Sequence, residues 1–117
     1  MDIRHQHRVK LIQELFADSF KPDQTTDPDL KQILSHLSEI DKMIHTYASR
    51  YPLDKIAKVD LAILRLSIYE LMFEKKNPTK VVIDEAVILA KEFGNEKSYA
   101  FVNGVLGSVI KDLSMKK

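Results

Sequence analysis

The 117-residue sequence has no cysteine, no tryptophan and only three glycines. Without cysteine there can be no disulfide, thiolate nucleophile, cysteine-ligated zinc or cysteine-held iron–sulfur cluster, which suits a reducing cytosol. Neither charge sign dominates: 18 basic against 17 acidic residues leave a formal +1. Any pull toward nucleic acid must therefore come from a local concentration of positive charge. Long apolar runs are also missing, far short of the roughly 20 residues a membrane helix needs. The polar N-terminus offers no apolar stretch of a signal peptide. These absences predict a soluble, cytoplasmic protein with no membrane partner.

Catalytic signatures are absent as well. No GxGxxG, P-loop, GxSxG or HExxH pattern occurs, so phosphate cradling, a serine nucleophile and a zinc protease site lack support. The four histidines are His5, His7, His36 and His45. The close pair, His5 and His7, would point to different sides of a helix, which disfavours a metal site. Asp84 and Glu85 are adjacent and Glu70 is remote in sequence, so no acid–base carboxylate pair emerges. The expectation is a binding protein with no catalytic residues, metal or cofactor.

What is present is helical patterning. Hydrophobic residues make up 44% and charged residues 30% of the chain, globular values. A chain of this size buries roughly 65% of its unfolded surface in one core. Apolar residues recur at spacings of three and four. The first stripe, Val9, Ile12 and Phe16 with Leu11 and Leu15 beside it, predicts a helix over about 4–18. A loop over 21–26 follows, and Asp27-Pro28 reads as an N-cap with proline at the first helical position. Leu30, Ile33, Leu37, Ile40, Ile44, Tyr47 and Tyr51 then form a stripe of about six turns. It either packs on neighbouring helices or forms a coiled-coil seam. Pro52 ends it.

The segment 59–73 is apolar on several sides and predicts a central helix. Lys75-Lys76-Asn77-Pro78 closes it, the lysines suiting the C-terminal dipole. Thr79 is a candidate cap for a helix over 80–93, with Val82, Ala86, Leu89 and Phe93 inward and Gly94-Asn95 as a left-handed stop. Ser98 or Asn95 would cap a last helix over 98–113, with Tyr99, Val102, Leu106, Val109 and Leu113 inward. Gly104 and Gly107 lie inside that helix, each costing about 1 kcal/mol relative to alanine. Close approach of another helix, or of a ligand, would account for them. Asn103 reads as a buried, hydrogen-bonded packing residue. The whole is an all-α, compact helical bundle, one domain whose N-terminal part (1–51) carries a basic arm and whose C-terminal part spans 52–114.

That arm is the one local charge feature. Arg4, Arg8 and Lys10, with His5 and His7 interleaved, are opposed only by Asp2. Arg4 and Arg8 are one turn apart and share a face, where guanidinium groups suit phosphates or unpaired bases. A plain solvated helix face remains the bland alternative. Arginine near a helix N-terminus opposes the dipole, and this favours the functional reading slightly.

Three ordered blocks over about 55 residues, VDLAILRLSIYEL (59–71), PTKVVIDEAVILAKEFG (78–94) and FVNGVLGSVI (101–110), resemble the NusB family of bacterial transcription antitermination factors. Leu64-Arg65, Tyr69-Glu70-Leu71, Glu85-Ala86 and 101–106 match the family's pattern. RHQHRVKLIQELF (4–16) is similar to its arginine-rich first helix, with His5 where arginine is common, which lowers the expected charge at neutral pH. The segment between that helix and Val59 is shorter than usual in the family. The resemblance implies two packed helical subdomains. It also implies binding of boxA RNA of leader transcripts together with NusE, a small-subunit ribosomal protein, within the RNA polymerase antitermination complex. On the family's pattern, RNA contacts fall on Arg4, His5 and Arg8, with Lys10 in the same arm and Gly107, where an acid is common, nearby. Contacts to NusE fall on Phe16, Tyr69 and Glu70; alternatively Tyr69 is core and Glu70 pairs with Arg65 or a lysine.

Two other readings compete. One is a helical protein-interaction or self-association module without RNA binding, the 30–51 stripe being its seam. The other is the NusB-like domain that precedes a ribosomal RNA cytosine methyltransferase, of which this chain shows no α/β catalytic part. Three phosphate contacts from Arg4, Arg8 and Lys10 would give a salt slope of about −2, roughly 20-fold weaker binding between 50 and 200 mM salt.

Overall fold

The computed structural model describes residues 2–115, and among them the regular structure is helical. The elements are α1 (Ile3–Phe20), α2 (Pro28–Ser35), α3 (Leu37–Tyr47), a 3₁₀ turn (Leu53–Lys55), α4 (Lys58–Tyr69), a π-helical turn (Glu70–Glu74), α5 (Thr79–Phe93) and α6 (Ser98–Met115). The Asp27 cap that the sequence predicts is present at α2, and Asp2 caps α1 as well. The Asp2 carboxylate accepts from the Arg4 amide at 2.9 Å, and that of Asp27 accepts from the Asp29 amide at 2.9 Å. Each side chain satisfies a donor that has no partner within the helix.

The helix α4 lies at the centre and packs against all five other α-helices. Its sequence explains this, since Leu61, Ala62, Ile63, Leu64, Leu66 and Ile68 are all buried, leaving no polar face to turn to water. Around it Leu11, Ile12 and Leu15 of α1, Leu30 and Ile33 of α2, and Ile40 and Ile44 of α3 are buried. So are Ala86, Leu89 and Ala90 of α5 and Val102, Val105, Leu106 and Val109 of α6, and all join one apolar cluster. The 30–51 stripe is thus consumed inside the chain, with Ile40 and Ile44 at 0% exposure. Its central side chains are unavailable as a seam for a second copy.

Several local expectations are corrected. The stripe is broken at His36 into α2 and α3; this residue has φ −107° and ψ 8°, and its amide bonds to the Ile33 and Leu34 carbonyls. The ring stacks on Phe73 at 4.0 Å, so a tertiary contact fixes the bend. Tyr51, the last member of the stripe, is exposed. Pro78 rather than Thr79 is the capping residue of α5, and no side chain caps it. Gly94 is extended, not left-handed, at φ −91° and ψ −170°. A Cβ there would lie 2.3 Å from the Ser98 hydroxyl, which accepts from the Asn95 amide at 2.9 Å. The glycine is needed for close approach. Tyr99 and Phe93 are more exposed than an inward stripe predicts. Arg65 pairs with Asp41 of α3 through two bonds of 3.0 Å, not with Glu70.

Candidate nucleic-acid and partner interface

Amphipathic geometry turns alternate faces of α1 toward different neighbours, and at its N-terminal end those neighbours are acidic. Arg8 is buried. Its Nε donates to Glu70 Oε2 at 2.9 Å and its Nη2 to Oε1 at 2.8 Å, while Nη1 stands 3.9 Å from Glu85. The Asn77 amide also donates to Glu70 Oε1 at 3.4 Å. A planar guanidinium and a carboxylate meet here with two parallel bonds, the geometry that best offsets the desolvation of both charges. Glu70 sits at the first residue of the π turn. The wider turn lets the chain close through Lys75, which takes the left-handed conformation at φ 55° and donates its amide to the Glu70 carbonyl.

His5 is held by two acids of α5, with Nδ1 2.9 Å from Glu85 and Nε2 2.9 Å from Glu92. A neutral imidazole has one N–H, so two bonds to carboxylates require the imidazolium. The bond to Glu85 is the main cause of a raised His5 pKa, reinforced by the field of both acids against a smaller desolvation. The raised pKa favours the protonated ring at the position where the sequence suggests a loss of charge, and α5 supplies the carboxylates that balance it. His7 points the other way, 3.4 Å from Asp29 of α2, as the sequence spacing predicts. Lys10 is exposed, with its ammonium 3.4 Å from Asp27 and 3.7 Å from Glu14. Arg4 is exposed, and its guanidinium has no carboxylate partner among the described residues.

Arg4, His7 and Arg8, but not His5 or Lys10, line a cleft of about 610 Å³ together with Asp29, Tyr69, Glu70, Glu74, Lys76 and Asn77, among others. Residues the sequence suggests for RNA and for a protein partner thus share one cavity. Tyr69 is half-buried, and burial, with the nearby Glu74 and Asp29 carboxylates, raises its hydroxyl pKa. Phe16 lies elsewhere, more than two turns along α1. It joins Ile12, Val59, Ala62 and Phe93 around a hollow of about 190 Å³. A second hollow of about 350 Å³ shares Phe16, Val59 and Phe93 and is lined also by Lys58, Asp60, Asn95 and Ser98. Asp60 is buried and its Oδ1 has no hydrogen-bond partner.

On α6, Asn103, Gly104 and Gly107 are all exposed. A Cβ at either glycine would meet nothing within 4 Å, so helix packing does not explain them, and Asn103 is not a buried packing residue. Sequence reasoning missed Lys76 and Asn77, whose position beside the break-forming Pro78 reads only as a helix end. It also missed Glu85 and Glu92 as holders of His5, because no local spacing links α1 to α5.

The model of the NusB family matches residues 7–111. The transcription antitermination protein NusB of Geobacillus kaustophilus is 38% identical over 91% of this chain and 94% of its own length. That of Lactiplantibacillus plantarum is 36% identical, covering 93% of this chain and 95% of its own. The latter alignment runs to 132 positions, longer than the 117-residue chain, so the relative has residues where this chain has none. The crystal structure of T. maritima NusB superposes with a TM-score of 0.82 at 34% identity, covering 94% of this chain and 92% of the other. A complex of the antitermination factors NusB and NusE with dsRNA contains the same fold, with a TM-score of 0.80 at 23% identity.

Proposed function

This chain belongs to the NusB family, and on that premise we propose that it is a transcription antitermination factor that binds boxA-type leader RNA together with NusE. It works in the cytoplasm as a binding protein within the RNA polymerase antitermination complex, with no catalytic step of its own. The observation that carries the RNA reading is Arg4, an exposed guanidinium at the cleft with no carboxylate paired to it among the described residues. Lys10, exposed on another face of α1, adds a second cation to the arm. His5 and Arg8 contribute by fixing the helix that presents Arg4, and Gly107 leaves an uncharged, open stretch of α6 where the RNA passes. The chain acts as one domain, with the arm in residues 1–51 and the C-terminal helices in 52–114.

For NusE the favoured surface is the apolar groove at Phe16, since a half-exposed aromatic beside Val59 and Phe93 offers the desolvated anchor that protein partners use. Asp60, with an oxygen unpartnered at its edge, would accept a donor from the partner. Tyr69 contacts NusE at the cleft, and Glu70 acts through Arg8. Fluorescence anisotropy of a boxA RNA, with and without NusE, tests the proposal. Binding strengthened by NusE and weakened by Arg4→Glu is expected; no binding even with NusE overturns it.

A further inference from the structure

A third hollow, remote in sequence from the basic arm, lies between the end of α3 and α6. It has a volume of about 310 Å³ and is lined by Arg50, Tyr51, Phe101 and Gly104, among others. Tyr51 is 49% exposed and its ring stands perpendicular to that of Phe101 at 5.8 Å, so the tyrosine ring is held on one side while about half of it meets solvent. Arg50 is exposed, and no acid lines the hollow. The exposed side of α6 continues from it through Asn103, Gly107 and Ser108 to Lys111. Asp112 is engaged by the Tyr47 hydroxyl. An exposed aromatic, an unopposed guanidinium and a helix surface without side-chain bulk suit a stacked base, its phosphate and a closely approaching backbone. They do not suit a basic or a purely apolar partner.

We infer that this groove is a second contact for single-stranded RNA, with a base stacked on Tyr51, a phosphate on Arg50 and the strand laid against α6 at Gly104. This rests on the RNA-binding reading above. It also accounts for two mid-helix glycines that stabilise nothing inside the protein, since open space surrounds both.

The test is anisotropy of the full chain with a labelled single-stranded RNA of about 15 nucleotides, long enough to span both contacts. Tyr51→Ala is expected to weaken binding about 10-fold, with Tyr51→Phe near wild type, because stacking needs the ring and not the hydroxyl. Arg50→Gln weakens it several-fold and flattens the salt dependence. Gly104→Gln raises or preserves Tm, as open space and helix propensity dictate, yet weakens RNA binding. Undiminished affinity in Tyr51→Ala and Gly104→Gln, with Arg4→Glu still damaging, overturns the groove and leaves the basic arm intact. Loss of NusE binding alone from these variants assigns the groove to protein and overturns it too. A wild-type chain that binds no RNA overturns both readings.

Discussion

At its N-terminal end α1 meets its neighbours through charge; about two turns on, the same helix meets them through hydrocarbon. Arg8 there is buried against Glu70, and His5 is fixed between two α5 carboxylates. At Phe16 the helix lines, with Val59, Ala62 and Phe93, a groove still open to solvent. The difference teaches where each end spends its interactions. The charged end uses most of its cations internally and leaves Arg4 to face outward. The apolar end leaves interaction capacity unused, and this is the end better suited to a protein partner.

The largest expected effect breaks the charged end. Arg8→Ala or Glu70→Ala strands an unpaired buried charge and should cost about 3–5 kcal/mol in denaturant unfolding. Arg8→Met combined with Glu70→Leu should recover most of that, because the pair's gain is offset by its desolvation. A single variant as stable as wild type would show that the ion pair does not hold α1. At the apolar end the balance reverses. Phe16→Ala and Phe93→Ala, both more than a third exposed, should unfold near wild type but weaken NusE binding by about 2 kcal/mol, roughly 30-fold. Calorimetric titration with NusE measures this, and equal affinity would separate the groove from the partner.

The helices were legible in the sequence wherever burial follows periodicity. The many-sided apolar pattern of 59–68 placed α4 at the centre because no other position hides such a surface. What periodicity could not see were contacts made across the fold. The break at His36 comes from stacking on Phe73, a residue 37 positions away. Arg8 and Arg4 look equivalent at one-turn spacing, yet only Glu70, 62 residues on, makes one of them a core residue. The glycines of α6 suggested close packing, and the structure finds open space beside them. The family blocks named residues on α1 and α4 while leaving unseen how the arm is anchored.

That inequality between Arg4 and Arg8 sharpens the salt prediction. For an RNA too short to reach Arg50, and with Arg8 held by Glu70, the exposed Arg4 and Lys10 remain for phosphates, and two single-strand contacts give a slope of about −1.4. Affinity for RNA should then fall about sevenfold between 50 and 200 mM salt, rather than the roughly 20-fold of three contacts. Anisotropy across that range decides it. A slope of −2 or steeper would mean that Arg8 leaves its acid on binding or that further cations join.

The smallest effect separates the two anchors within the charged end, since His5 titrates and Arg8 does not. The His5 pKa is raised above its ordinary value, first by its bond to Glu85 and then by the fields of Glu92 and Glu85. Arg8, from the same helix, stands 3.9 Å from Glu85 and competes for it. A raised folded-state pKa means the latch contributes in full below about pH 6.5, where the unfolded histidine is also protonated. It fades as pH rises through the folded value. His5→Ala should therefore lower Tm most near pH 6 and least near pH 9. Glu70→Ala should lower Tm equally at both ends, because Arg8 stays charged across it. The imidazole is partly exposed, with 20% of its side chain accessible, so water screens the interaction and the shift in Tm will be modest. A His5→Ala deficit that is the same at both pH values would mean that the ring contributes packing and not charge. The N-terminal end of α1 would then be held by Arg8 alone.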